Sequence, residues 1–289
     1  MWLMNHFFVL PRAQVLRLKI LKVTSVQSWR RNNFVMEQSV FLKTALDAIK
    51  VSDEIIMSYY HGDIQVETKA DMSPVTIADK EAESAIKNIL STAFPEHGFI
   101  GEEFGISDGE HKYQWVIDPI DGTKNFIRHI PLFGTQLALV KDDEVILGVS
   151  SMPAMQEVIY AERGKGAFLN GKKIHVSDVS ALSDSMICFG GVSHFEKSNI
   201  MSECTELLLS TSRQRGIGDC YMYHLLASGR TDIVIEASIN FWDIAAAVCI
   251  VEEAGGTVSD MFGKPVTIDT RTFVATNGTL HTDVLRFLT

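Results

Sequence analysis

Cysteine is scarce. Cys188, Cys204, Cys220 and Cys249 are the whole set, and no two form a Cys-x-x-Cys pair. That spacing excludes a disulfide framework and a cysteine-based zinc site, and it fits a reducing compartment. No apolar run approaches the roughly 18–20 residues that a membrane-spanning helix requires. Positive charge is in deficit, with 26 Lys and Arg against 36 Asp and Glu and a formal net charge of −10. A chain of that sign is not built to hold nucleic acid. Internal repeats and low-complexity tracts are absent, which excludes solenoid and linker architectures.

Acidic residues are missing from one place. Met1 to Val35 carries Arg12, Arg17, Lys19, Lys22, Arg30 and Arg31 but no Asp or Glu. Removing those six from the 26 basic residues leaves 20 against 36 acidic ones, so the body is more acidic than the whole. An Arg-containing, acid-free head can target an organelle. Here Ser25 and Ser28 are its only serines and no cleavage signal is clear. The head therefore reads as an untranslated upstream stretch with Met36 as the true start. Residues 1–35 are set aside as a non-core extension, and the protein is expected in the cytoplasm.

What remains is ordinary globular material, 46% hydrophobic and 21% charged over a chain of 289 residues. Helical spacing of Phe41, Ala45, Ile49 and Ile56 predicts a helix over 37–60. A second is predicted from Thr76 to about Phe94, ahead of Pro95. Strand candidates follow at 65–69, 99–103, 115–118, 134–140, 145–151 and 157–161. Asn170-Gly171 supplies the positive φ of a type I′ hairpin. Beyond Ser177 the texture alternates: strands at 186–190, 213–217 and 233–236, helices at 195–209, 220–228 and 242–254, then two short strands. The sum is a layered sheet-and-helix protein. Its expected parts are an N-terminal α+β half, 36–180, and a C-terminal α/β half, 181–289.

The most informative run is Trp115-Val116-Ile117-Asp118-Pro119-Ile120-Asp121-Gly122-Thr123. An apolar strand ends abruptly in two carboxylates, with Pro119 fixing the turn between them. Hard oxygen ligands at such a point select Mg²⁺, which shares its shell with water and substrate phosphate. A helix starting here would offer free N–H groups to a phosphate. Two further acidic clusters stand at element ends: Glu102-Glu103, and Asp243 in Trp242-Asp243-Ile244-Ala245-Ala246, followed by Glu253-Ala254-Gly255-Gly256. Taken singly, Asp79, Asp121 and Asp243 each read as helix caps.

Taken together, Gly101-Glu102-Glu103, Asp118-Pro119-Ile120-Asp121-Gly122-Thr123 and the Trp242-Asp243 and Glu253-Ala254-Gly255-Gly256 pieces resemble the inositol monophosphatase superfamily. They stand in that family's order and span most of residues 65–260. The resemblance implies a layered α-β-α-β-α sandwich of the inositol monophosphatase and fructose-1,6-bisphosphatase type, assembled as a homodimer. It implies a Mg²⁺-dependent phosphomonoesterase with two or three ions per site. Glu102, Asp118, Asp121 and Asp243 would be side-chain ligands and Ile120 a backbone carbonyl ligand. Asp79 and Thr123 would orient and deprotonate the attacking water, with Lys69 and Glu103 in support. Gly122 and Thr123 N–H groups would hold phosphate oxygens.

Substrate choice belongs to the far wall of such a pocket. Pro131-Leu132-Phe133-Gly134-Thr135 and Gly218-Asp219-Cys220-Tyr221 look more like the histidinol-phosphatase branch of the superfamily. Asp219 and Glu236 would face the ammonium and imidazole of histidinol phosphate, where charge-assisted hydrogen bonds are strong. Asp219 has an equal reading as an N-cap. Arg128 and His129 could reach toward the substrate or a neighbouring subunit. His129, Gln136 and Phe241-Trp242 depart from the branch pattern. The alternatives are an inositol-1-monophosphatase or a broad-specificity sugar-phosphate phosphatase. A 3′-phosphonucleotide phosphatase fits less well, because Asp219 and Glu236 would repel its extra charge. A non-catalytic binding protein is disfavoured by the full set of Asp79, Glu102, Asp118, Asp121, Thr123 and Asp243. The small-molecule phosphate monoester is the expected partner, with no nucleic acid and no membrane.

Overall fold

Helix α1 (Val40–Tyr60) starts where Ser39 Oγ accepts the Leu42 N–H at 3.1 Å. Its buried residues Leu42, Ala45, Ile49, Ser52 and Ile56 fall three or four apart, the spacing of one helical face. The computed structural model describes residues 38–62, 66–68, 74–107 and 112–289. The expectations for residues 1–35 and for Lys69 lie outside these described residues. Strands β1 (Val66–Thr68) and β2 (Pro74–Thr76) pair antiparallel and lead into α2 (Ile77–Ala93). Helices α1 and α2 pack on each other and on one face of the first sheet.

That sheet has eight strands. They are β3 (Gly98–Gly101), β4 (Gly105–Ile106), β5 (Tyr113–Asp121), β6 (Gly134–Lys141), β7 (Glu144–Met152), β8 (Glu157–Glu162), β9 (Ala167–Leu169) and β10 (Lys172–Ile174). The order is β10-β9-β8-β7-β6-β5-β3-β4, and only β3 and β5 run parallel. The short helix α3 (Thr123–Phe126) follows β5 directly. Asn170 and Gly171 take φ of 47° and 79°, as the hairpin reading requires.

The second sheet begins after residue 185 and orders its five strands β12-β11-β13-β15-β14. Its strands are β11 (Met186–Phe189), β12 (Arg213–Arg215), β13 (Ile233–Ala237), β14 (Thr257–Ser259) and β15 (Thr272–Thr276). Helices α4 (Val192–Lys197), α5 (Met201–Ser210), α6 (Asp219–Ala227), α7 (Phe241–Glu253) and α8 (His281–Leu288) complete the chain. The single helix expected over 195–209 is two helices, because Asn199 takes a left-handed φ of 57° between them. Helix α8 is not among the expected elements.

Helix α7 packs against β5 to β8 on one side and β14 and β15 on the other, and α6 lies beside it. The largest buried cluster, with Met222, Tyr223, Ile244, Ala247 and Ile250, fills this middle layer. A second cluster joins α5 and α8 beneath the five-stranded sheet. The layers are therefore α1/α2, eight strands, α6/α7, five strands and α5/α8. Gly148 on β7 lets α7 approach closely: a Cβ there would lie 2.3 Å from Ala246 O.

Candidate active site

The apolar run before Asp118 is buried strand, and its pairing with β6 shifts register between Asp118 and Asp121. Asp118 faces Gln136 and Asp121 faces Gly134, so the strand bulges where the two acids leave it. Bulges of this kind re-aim side chains at sites. Thr135 Oγ1 donates to Pro119 O at 2.8 Å and meets Ser52 Oγ at 3.2 Å, holding the bulge from α1. Thr123 Oγ1 donates to Ile120 O at 3.0 Å.

Glu102 is delivered by the turn between β3 and β4, with its N–H on Ile117 O at 3.1 Å. Asp243 sits in the first turn of α7, where Asn240 N–H donates to its Oδ2 at 2.8 Å. Capping thus fixes this carboxylate rather than competing with a role for it. A pocket of about 530 Å³ brings together Glu102, Asp118, Ile120, Asp121, Gly122, Thr123, Asp219, Glu236 and Asp243. Lys124, Asn125, Ser193, His194 and Asn240 line it too, and the sequence reading passed over all five for this site.

The electrostatics are those of crowded acids. Burial first, then Glu102, Asp121 and Asp243 nearby, push the Asp118 carboxyl well above its ordinary range. Burial and then Asp219 and Asp243 do the same to Asp121. Asp118 Oδ1 and Asp79 Oδ1 are buried with no hydrogen-bond partner. Oxygen donors that burial and mutual repulsion drive toward protonation are what a divalent cation relieves. Among the described residues, no three His, Cys, Asp or Glu side chains already close into a metal cage.

Asp79 stands on α2 beside this cluster. Its Oδ2 accepts Thr76 N–H at 2.8 Å and the Thr76 hydroxyl at 2.6 Å. Burial raises its pKa to about 6, assisted by Glu103 and Glu102. Glu103 does not line the pocket. Its N–H goes back to Glu83 on α2 at 2.8 Å.

The far wall is built by α6 and β13. Gly218, not Asp219, occupies the N-cap of α6, so the capping reading of Asp219 fails. Asp219 takes φ 51°, a left-handed conformation that costs energy for any residue with a Cβ. Its Oδ2 accepts Asn125 Nδ2 at 2.8 Å. Burial raises Asp219 to about 6, with Lys124 opposing. Glu236 accepts Tyr223 Oη at 2.5 Å, and burial raises it to about 8. Arg128 is not brought to the pocket. Its guanidinium is exposed and donates to Lys124 O at 3.0 Å. His129 pairs instead with Tyr60, through Tyr60 Oη to His129 O at 2.7 Å. Gln136 contacts Asp121 Oδ2 at 3.4 Å.

Glu253 of the Glu-Ala-Gly-Gly piece lies outside the pocket. Its two oxygens accept Gly164 N–H at 2.8 Å and Gly166 N–H at 2.7 Å, clamping the turn between β8 and β9. Sequence signals for the passed-over residues were slight. Asn240 is three residues before Asp243, the spacing of a capping box. Glu83 is a second buried acid, after Asp79, on a face of α2 that is otherwise apolar.

Comparison with known proteins assigns the chain to a family. The model of the inositol monophosphatase family matches residues 37–288. A histidinol-phosphatase of Chlorobaculum parvum is 36% identical over 84% of this chain and 95% of its own length. An inositol-1-monophosphatase of Mesorhizobium japonicum is 36% identical over 77% and 85%. The crystal structure of the suhB extragenic suppressor protein from Bartonella henselae superposes with a TM-score of 0.82 at 31% identity, covering 86% of this chain and 98% of that one. A solved IMPase/NADP phosphatase complexed with Mg²⁺ and phosphate superposes at 0.74 with 26% identity, covering 85% and 93%.

Proposed function

The chain belongs to the inositol monophosphatase family and is a phosphatase of that family; from this premise we propose that its preferred phosphate monoester is L-histidinol phosphate. Hydrolysis would give L-histidinol and phosphate, a step of histidine biosynthesis. The observation that carries the reading is Asp219, a carboxylate set on the far wall of the pocket that holds Asp118 and Asp121. A substrate with an ammonium and an imidazole can pair its positive charge with that carboxylate, whereas a neutral polyol gains hydrogen bonds there but has no cation to pair with it. The 36% identity to a histidinol-phosphatase supports the same reading.

Glu102, Asp118, Asp121 and Asp243, with the Ile120 carbonyl, would hold two or three Mg²⁺. The ions would supply charge neutralisation at the phosphate and a water acidic enough to attack it. Asp79 Oδ1, buried and without a partner, would accept the proton of that water. Thr123 would orient the water by turning its hydroxyl from Ile120 O. Gly122 and Thr123 N–H groups, at the start of α3, would face phosphate oxygens. Glu236, already tied to Tyr223, would present its remaining oxygen edge to the substrate. The cytoplasm as site of action and the homodimer as working unit belong to the same proposal.

One observation favours an inositol or sugar phosphate instead. Lys124 is close enough to oppose the rise in Asp219's pKa, and so offsets part of its charge. Phosphate release from histidinol phosphate and from inositol 1-phosphate, each with Mg²⁺ and with EDTA, decides between them. A preference of tenfold or more for histidinol phosphate supports the proposal. Equal or better turnover of inositol 1-phosphate overturns it and leaves the metal site standing.

A further inference from the structure

Glu83 is fully buried on α2 and lines no part of the pocket, so it cannot touch a substrate. Its partners are backbone donors. Oε2 accepts Glu103 N–H at 2.8 Å and Oε1 accepts Phe104 N–H at 3.3 Å. Both donors belong to the turn that carries Glu102. The same turn is tied on its other side by Glu102 N–H to Ile117 O at 3.1 Å, on the strand that delivers Asp118.

The fit between helix and turn is close. A Cβ on Gly101 would lie 1.9 Å from Glu83 Oε1 and 2.6 Å from its Cδ. Gly101 is therefore the space that the Glu83 carboxylate occupies. One turn further along α2, Lys87 Nζ lies 5.2 Å from the centre of the Phe104 ring and 5.6 Å from that of Phe99. One turn earlier stands Asp79. Residues spaced by four lie along one helical face, so a single edge of α2 presents Asp79 to the acidic cluster and grips the Glu102 turn.

A carboxylate sealed from water gains little stability from two backbone hydrogen bonds, because its desolvation opposes them. Placement is the better account of why an acid stands there. We propose that Glu83, with Gly101 as its socket, is a positioning residue for Glu102. It fixes the turn so that the Glu102 carboxylate points at the ions without rearrangement on binding. Groups behind ligands typically change metal affinity by about 10–100-fold. The inference deepens the proposed function and rests on Glu102 being a ligand.

The test is Mn²⁺ binding to the full chain by electron paramagnetic resonance, with amide hydrogen exchange and thermal unfolding in EDTA. Glu83→Gln keeps the volume and one acceptor. It is expected to weaken Mn²⁺ binding about tenfold and to speed exchange at the Glu103 and Phe104 amides. Its thermal midpoint in EDTA should fall by no more than one lost backbone hydrogen bond accounts for. In assays the Mg²⁺ concentration for half-activation should rise about tenfold, with kcat recovering at saturating Mg²⁺. Gly101→Ala attacks the same contact from the turn, and should reproduce the binding defect. Glu102→Gln is the control. If Glu102→Gln leaves Mn²⁺ binding intact, the ligand assignment fails and the proposal with it. If Glu102→Gln weakens binding while Glu83→Gln and Gly101→Ala bind as the parent does, only the positioning role fails.

Discussion

Asn125 donates its Nδ2 to Asp219 Oδ2 at 2.8 Å, joining positions 94 residues apart across the mouth of the pocket. One partner follows β5, and the other begins the helix of the far wall. Asp219→Asn removes the charge, keeps an acceptor for Asn125 and tolerates the left-handed backbone. KM for histidinol phosphate should rise by about tenfold or more, the worth of one charged hydrogen bond. KM for inositol 1-phosphate should change less than about threefold. Steady-state kinetics on both substrates check this. Equal effects on the two would assign Asp219 to the structure of the mouth rather than to selectivity.

Asp118→Asn should lower kcat by on the order of 10²-fold or more, since charge stabilisation worth several kcal/mol would be lost with a ligand. The same change relieves a buried acid of its like-charged neighbours. Thermal stability in EDTA near pH 7.5 should therefore rise, by about 1 kcal/mol. Activity and unfolding measured on one preparation separate the two effects. A variant that both melts earlier and loses activity would point to a folding role for Asp118.

The pH dependence of stability should invert on adding Mg²⁺. Asp118 and Asp121 have folded-state pKa values raised above their unfolded values. Groups of that kind contribute stability that is complete below the unfolded pKa and is lost as pH rises through the folded one. In EDTA the thermal midpoint should thus fall as pH rises above the ordinary carboxylate range, about 4. Mg²⁺ competes with those protons, so its stabilisation should grow with pH. At a hundredfold excess over Kd it should reach about 2.7 kcal/mol. Melting curves at pH 5 and pH 8, with and without the ion, provide the check. An equal Mg²⁺ shift at both pH values would contradict proton competition.

Glu253→Gln should cost stability and spare catalysis. The carboxylate spans Gly164 N–H and Gly166 N–H, and an amide can accept only one of the two. A loss of about 1–3 kcal/mol is expected, with kcat per folded molecule unchanged. Urea unfolding beside an activity titration shows which holds. A loss of kcat without a loss of stability would contradict a purely structural role for Glu253.

Much of the site was legible because each acid stands where a hydrophobic pattern stops. Asp118 and Asp121 end a buried run, Glu102 ends β3, and Asp243 opens the apolar helix α7. Such junctions are visible in one dimension. The break between the sheets was legible too, since an antiparallel meander gives way to alternating strands and helices. Asn125 and Glu83 were not, because their roles lie in partners distant along the chain, Asp219 and the Glu103 backbone. Helix α8 escaped notice because it is short, although its buried His281, Val284 and Leu288 do fall at helical spacing. Glu253 stands in the same motif as Asp243 but not in the same pocket. It shares a helix with Asp243 but caps a turn at the other end. Arg128 carries a charge suited to phosphate, yet its guanidinium is exposed and bonds back to Lys124 O on its own turn.

Gly148 has one more implication. Any side chain on it would lift α7 off the sheet beneath Ala246. That helix carries Asp243 one turn before Ala246, so the added bulk would displace a carboxylate proposed above as a ligand. Sequence drift at a position with no side chain and no polar role would then be filtered by the chemistry, as strictly as drift among the acids themselves.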